Sequence, residues 1–435
     1  MATATGHGTS CGLSGCGEEA GSALVSDAAA QVALDARARD RLWHMDEVSR
    51  EGLEDGLAWR ARQRRTFLRT GGLLGVFAFA GALLPRVPRA ASADRSRWLL
   101  AAGGGGGGGK EHVVGCSPAT TRLGQFDPTR DDVLLIDPGD VVVYKDTWSH
   151  FLGKLQPGVP IEELRELRLA NPGKGPHSII GPIGVNGAEP GDALEIQFLA
   201  VKPVAWAANF HNPGQLGTGA LPDLFPEGQV RYFTLDLGAM RTRFSEGITL
   251  PLAPFQGTIG VAPPDGFLGV TNGPVSSVPP GPHGGNMDLR EMGEGSRLFL
   301  PVWKPRARIF TGDSHALQGD GEVNLTALET AMKELRVRVL LHKKAGLSWP
   351  FVETETHWIA LGMDKDLNAA FRVALVNAID FLSKRAHLSR ADAYALCSVA
   401  VSFRVTQVVD VNKGVHAMIP KSIFAPAVRS GISIV

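Results

Sequence analysis

A mainly β domain finished by C-terminal α-helices is the fold class this sequence predicts, and three observations predict it. Short β-branched, apolar or alternating runs follow turns built from Gly and acids. Examples are Ala193–Phe198 behind Pro190-Gly191-Asp192, Val141–Tyr144 behind Asp137-Pro138-Gly139-Asp140, and Arg297–Leu300 behind Gly293-Glu294-Gly295-Ser296. The 435 residues include 53 Gly and 28 Pro against three Tyr, a turn-rich balance that favours short strands. From Asp366 to Arg385 the period changes, and Leu367, Ala370, Phe371, Ala374, Leu375, Ala378, Phe381 and Leu382 trace one face of a helix.

Taken in order, residues 1–62 are polar and Ala-rich without an apolar stripe, which reads as a disordered extension. Residues 63–93 resemble a twin-arginine signal: Arg64-Arg65-Thr66-Phe67-Leu68, an apolar stretch from Gly71 to Leu84, then Ala91-Ser92-Ala93. That stretch falls short of the roughly 20 residues that span a bilayer, so no stable membrane anchor is expected. The expectation is instead engagement with export machinery and a periplasmic or extracellular location. Residues 94–110 form a Gly-rich linker; Glu111 stands where a phosphate-binding loop would need Ser or Thr. The folded body is expected over 111–435.

Within the body, Val133–Ile136 and Val141–Tyr144 flank a turn, and the GPIGV run at Gly181 is echoed by GTIGV at Gly257, a weak internal duplication. Pro/Gly-rich loops follow at 213–226 and 262–282. Thr326–Lys343 is ambiguous, with helix formers first and strand-like alternation after. Ser389 with Asp392 forms a capping box for a second helix to about Ser398, and Val399–Val411 reads as a final strand. Composition is 44% apolar with zero formal net charge, as in soluble globular proteins and without the basic footprint of a nucleic-acid partner.

Chemistry concentrates between Phe310 and Glu329. Asp313, His315, Asp320 and Glu322 sit among Gly312, Gly319 and Gly321, which permit a tight backbone path. These donor types suit a divalent ion, zinc first and calcium second, with Asp313, His315 and Asp320 as ligands. Ordinary Asp-Gly turns would give the same pattern. Other candidates are His283 and Asn286, where the Asn amide could meet a substrate carbonyl, His177 before the GPIGV run, and Asp137 with His150. His150, His211, His342 and His416 otherwise read as structural. Cys116 and Cys397 lie outside any motif that would activate a thiol, and no G-x-S-x-G elbow is present within 111–435, so activated water is the expected nucleophile. Asp313, His315 and Glu322 are then the catalytic candidates, with Glu322 as general base.

The segment Gly312-Asp313-Ser314-His315 through Gly319-Asp320-Gly321-Glu322 resembles the GD-x-H-x-x-x-GDGE segment of the acetamidase/formamidase family. Gly181–Leu199, Gly284–Trp303 and Leu361–Gln407 agree in the same order, so the resemblance spans Glu111 to Phe424. It implies a β-sandwich or barrel-like core with helices packed against it, strand through most of Thr326–Lys343, and hydrolysis of a small formamide- or acetamide-like amide to carboxylate and ammonia. A homo-oligomer is also expected. Gly184, Asn186 and Asn324 replace an aromatic, an acid and a Cys common in the family. Those departures leave open a cyclic or N-substituted amide, or a binding or assembly protein on the same scaffold.

Overall fold

The computed structural model describes residues 109–435 apart from 213–215 and 217. The extension, signal and most of the linker lie outside the described residues. Two large sheets make up the body. One has nine strands, in the order Glu111–Gly115, Val141–Lys145, Met332–His342, Ala193–Pro203, Arg297–Pro301, Phe351–Glu353, His357–Asp364, Lys413–Pro420, Ser402–Gln407. The other has eleven and is centred on Ile309–His315.

Alternation along the strands sorts their side chains between two cores. Ile196, Phe198, Leu298, Leu300, Val337 and Val339 from the first sheet meet Ile183, Val185, Ile259 and Ile309 from the second in one shared core, so the sheets form a sandwich. On the other face of the nine-stranded sheet, Phe299, Phe351, Trp358 and Ala417 pack against Ala378, Phe381, Leu382 and Cys397 of helices Leu367–Arg385 and Arg390–Ala400. Gly362 permits that approach: a Cβ there would lie 2.2 Å from Ala374 N. Asp366 accepts from Ala369 N at 2.8 Å and Ser389 from Asp392 N at 3.0 Å, fixing both helix starts where the sequence places them.

The structure departs from the sequence reading, or adds to it, at three places. Leu134–Ile136 and Val141–Lys145 enter different sheets instead of pairing as a hairpin. Ile161–Leu169, which the sequence reading left unassigned, is helical, with Ile161, Leu164 and Leu167 three residues apart. Val399–Val411 yields only the strand Ser402–Gln407, which pairs with Lys413–Pro420, a strand absent from the sequence reading. The two echoed runs lie on opposite sides of the central strand, Ser178–Val185 pairing at Ile309 and Thr311 and Phe255–Gly260 along Phe310–His315.

Candidate active site

His315 ends the central strand and sits directly opposite Glu329 of the short strand Glu329–Thr330. Asp313, two residues earlier, has φ +61°, a left-handed conformation inside a strand. Asp288 and Glu322 are also left-handed, at +51° and +47°. Such conformations are uncommon for residues with a Cβ and are held here by surrounding structure. The Glu322 loop is tied to the end of the strand Ser402–Gln407, Gly321 N donating to Thr406 O at 3.0 Å and Val408 N to Gly321 O at 3.2 Å. Just beyond, Asp410 N donates to Gln407 Oε1 at 3.1 Å.

These elements converge on one pocket of about 180 Å³. His315 Nδ1 donates to Gln318 Oε1 at 3.1 Å, and Gln318 Nε2 donates to Asp288 O at 2.8 Å. His315 Nε2 then faces Asp313 Oδ1 and Glu329 Oε2, each at 3.2 Å. His150 Nε2 approaches the same two carboxylates at 2.8 and 3.3 Å. Thr258 donates to Asp313 Oδ2 at 3.2 Å and also bonds Asn286 Oδ1. Gly257 leaves room for the cluster: a Cβ there would lie 2.6 Å from His315 Cε1 and 2.7 Å from Asp288 Oδ1 and Asp313 Oδ2.

Electrostatics divide the pocket in two. Burial opposes charge on Asp313, but His315, His177 and His150 overcome it and hold the carboxyl well below the ordinary range. Burial likewise disfavours the His315 cation, yet Glu329 and Asp313 raise its pKa well above the usual imidazole range. His177 is driven to about 3 by burial. On the other side, burial and mutual repulsion push Asp288 and Glu322 well upward and Asp410 to about 7.

The donor set fits a divalent cation. Four overlapping groups bring ligand atoms within 4.8 Å of one another: His150/His177/Asp313, Asp288/Asp313/His315, His315/Glu322/Glu329 and Asp288/Glu322/Asp410. Both carboxylate oxygens of Asp288, His315 Nε2 and Glu329 Oε2 are buried without a hydrogen-bond partner. The bond from His315 Nδ1 to Gln318 matches the way metal-binding imidazoles are oriented by a second group.

Among the residues singled out from the sequence, Asp313, His315, Glu322, Asn286 and His177 line this pocket. Asp320 does not. Its side chain faces Arg290 and Arg404 at 3.8 and 3.9 Å on the surface, because the Gly319–Gly321 turn points it outward while Glu322 turns in. His283 is buried but stands outside the pocket, against Phe126 and Phe267 at ring distances of 5.5 and 4.6 Å. His150, which the sequence reading paired with Asp137 or left as structural, belongs to the cluster, as do Glu329, Asp288 and Asp410. A lone acid in an apolar run, as in Leu328-Glu329-Thr330-Ala331 and Val408-Val409-Asp410-Val411, was the available signal for two of them. The departures Gly184, Asn186 and Asn324 lie outside the pocket lining; Asn186 bonds Asp137 and Asn324 bonds Asn209.

The acetamidase/formamidase family model matches residues 124–274 and 269–426. A formamidase of Methylophilus methylotrophus is 26% identical over 318 residues, 58% of this chain and 78% of that protein. An acetamidase of Mycolicibacterium smegmatis is 27% identical over 285 residues, 48% of this chain and 69% of that one. Among solved structures, the acetamidase of Yersinia enterocolitica superposes with a TM-score of 0.66 at 30% identity, covering 76% of this chain and 99% of its own. That of Bacillus halodurans gives 0.63 at 28%, covering 72% and 98%. With most of the body matched by the family model and the sandwich shared with these structures, the chain belongs to the acetamidase/formamidase family.

Proposed function

We propose that this protein hydrolyses the C–N bond of a small linear amide to a carboxylate and ammonia. The observation that carries the reading is one pocket in which His150, His177 and His315 meet Asp313 and Glu329 beside a separate set of acids, Asp288, Glu322 and Asp410. The likeness to proteins named formamidase and acetamidase supports the substrate class.

Asp313 and His315 would hold a divalent ion, with Glu329, Asp288 and the two further imidazoles as the available additional ligands; mixed imidazole and carboxylate donors suit zinc. Such an ion supplies Lewis acidity to an amide carbonyl and to water. The chain itself supplies placement and proton movement. Asn286 is fixed by Thr258 at the pocket wall, where its amide can donate to the substrate carbonyl. Glu322, buried among Asp288 and Asp410, takes a proton from water and returns it to the leaving nitrogen. Phe151, Phe210 and Leu325 give the lining an apolar part, which disfavours bulk water beside the reacting groups. Export by the twin-arginine route is part of the same reading and rests on Arg64-Arg65.

Ammonia release over a panel of short amides tests this, with Glu322→Gln alongside. The expected result is turnover of linear amides that falls by roughly 10²–10⁴ in the variant. Absence of turnover on every amide would overturn it.

A further inference from the structure

The pocket lining contains five carboxylates, Asp288, Asp313, Glu322, Glu329 and Asp410, and a single Arg or Lys side chain, Arg168, among the described residues. Arg168 comes from the helix Ile161–Leu169 and is half-buried, a setting that disfavours its charge. Its Nη1 donates to the carbonyls of Asn171, at 3.4 Å, and Lys174, which fixes the guanidinium in place. Nε and Nη2 have no partner among the described residues, and no carboxylate lies within salt-bridge distance. A partly desolvated guanidinium that lines a pocket and keeps two of its nitrogens unpaired among the described residues is suited to bidentate capture of a planar anion.

Pocket size points the same way. A cavity of about 180 Å³ holds roughly six waters at ~30 Å³ each, more than formamide or acetamide fills. Phe151, Phe210, Val278 and Val409 line it as well and offer apolar cover for a short methylene chain.

From these observations we infer that Arg168 selects amides that carry a carboxylate at the end remote from the scissile bond, an inference that rests on the amide-hydrolase reading above. Arg168 acts on binding, not on the bond-breaking step. The competing role is purely structural, as a cap on the Asn171–Lys174 turn.

The test compares succinamate with butanamide, a neutral amide of similar length, as substrates of the full-length protein and of its Arg168→Gln and Arg168→Lys variants. Wild type should favour succinamate in kcat/KM by about 10- to 100-fold, the worth of one charge-assisted contact. Arg168→Gln should lose that preference, chiefly through the KM for succinamate, and Arg168→Lys should restore part of it. Equal losses on both substrates, or no preference in wild type, would overturn the inference. Calorimetric titration with succinate separates it from the reading it rests on. Succinate binding that Arg168→Gln abolishes, in a protein inert toward all amides, would keep the anion site and remove the hydrolase. Amide turnover without Arg168-dependent succinate binding would remove the anion site alone.

Discussion

Glu195 and Glu353 are as deeply buried as Asp288 and Glu322, yet the two pairs of carboxylates meet opposite surroundings. On the outer face of the nine-stranded sheet, Arg297 bridges Glu195, at 3.2 Å, and Glu353. Lys421 reaches Glu353 at 2.6 Å, and His342 reaches Glu195 at 2.8 Å. Burial opposes the Glu195 charge, but His342, Gln197 and Arg297 hold its pKa below the ordinary range. In the pocket, no Lys or Arg among the described residues pairs with Asp288, Asp313, Glu322, Glu329 or Asp410. Burial and repulsion raise three of those acids instead. One cluster is closed by its own partners. The other leaves charge to be met by what binds there, which is the physical difference between a structural network and a site.

Breaking each cluster should therefore have opposite consequences. The largest expected effect is on turnover: Asp313→Asn or His315→Ala should cut amide hydrolysis by about 10²–10⁴, within the range of a positioned catalytic group, and lower bound metal. Thermal stability should change little, and parallel rate, metal and melting measurements check all three. Next in size, Arg297→Met should leave Glu195 and Glu353 buried without their bridge. It should cost about 3–5 kcal/mol in denaturant unfolding while leaving kcat per folded molecule unchanged.

A titration of stability sharpens the contrast. For Glu195, with a folded pKa below its ordinary value of 4.5, the folded chain sheds its proton first as pH rises. Its contribution is present above about pH 4.5 and is lost as pH falls through the folded value. Asp410 behaves the other way. Its folded pKa of about 7 lies above the ordinary 3.8, so between these values the unfolded chain has released a proton the folded chain keeps. Stability of metal-depleted protein should then fall as pH rises from about 4 to about 7, and Asp410→Asn should flatten that slope. The smallest effect belongs to Asp320→Asn. Its arginine contacts are on the surface, so a loss within about 1 kcal/mol and intact metal content are expected.

The sequence revealed most where local chemistry and tertiary structure agree. The helix Leu367–Arg385 was legible because its period, its Asp366 cap and its buried face coincide. The loop from Asp313 to Glu322 was legible because Gly and acid residues cluster there. Asp320 shows the limit: sequence spacing cannot say which side of a turn faces the pocket, and the Arg290 and Arg404 that draw it outward lie 30 and 84 residues away. Glu329 was hidden for a related reason. Its place opposite His315 follows from strand register, a non-local pairing that alternation within one strand does not encode. His150 enters from a turn more than 160 residues before Asp313, and no local pattern marks it.

If the buried histidine and carboxylate cluster is the metal-dependent amide-hydrolysing centre proposed above, its activity must follow its metal. The most direct measurement is ammonia release from acetamide by full-length protein before chelation, after chelation and after addition of zinc, with Asp313→Asn carried through the same steps. Wild type should lose activity with its metal and regain it with zinc, while Asp313→Asn should bind little metal and stay inactive. Full activity in chelated, metal-free wild type, or wild-type turnover by Asp313→Asn, would contradict the proposal.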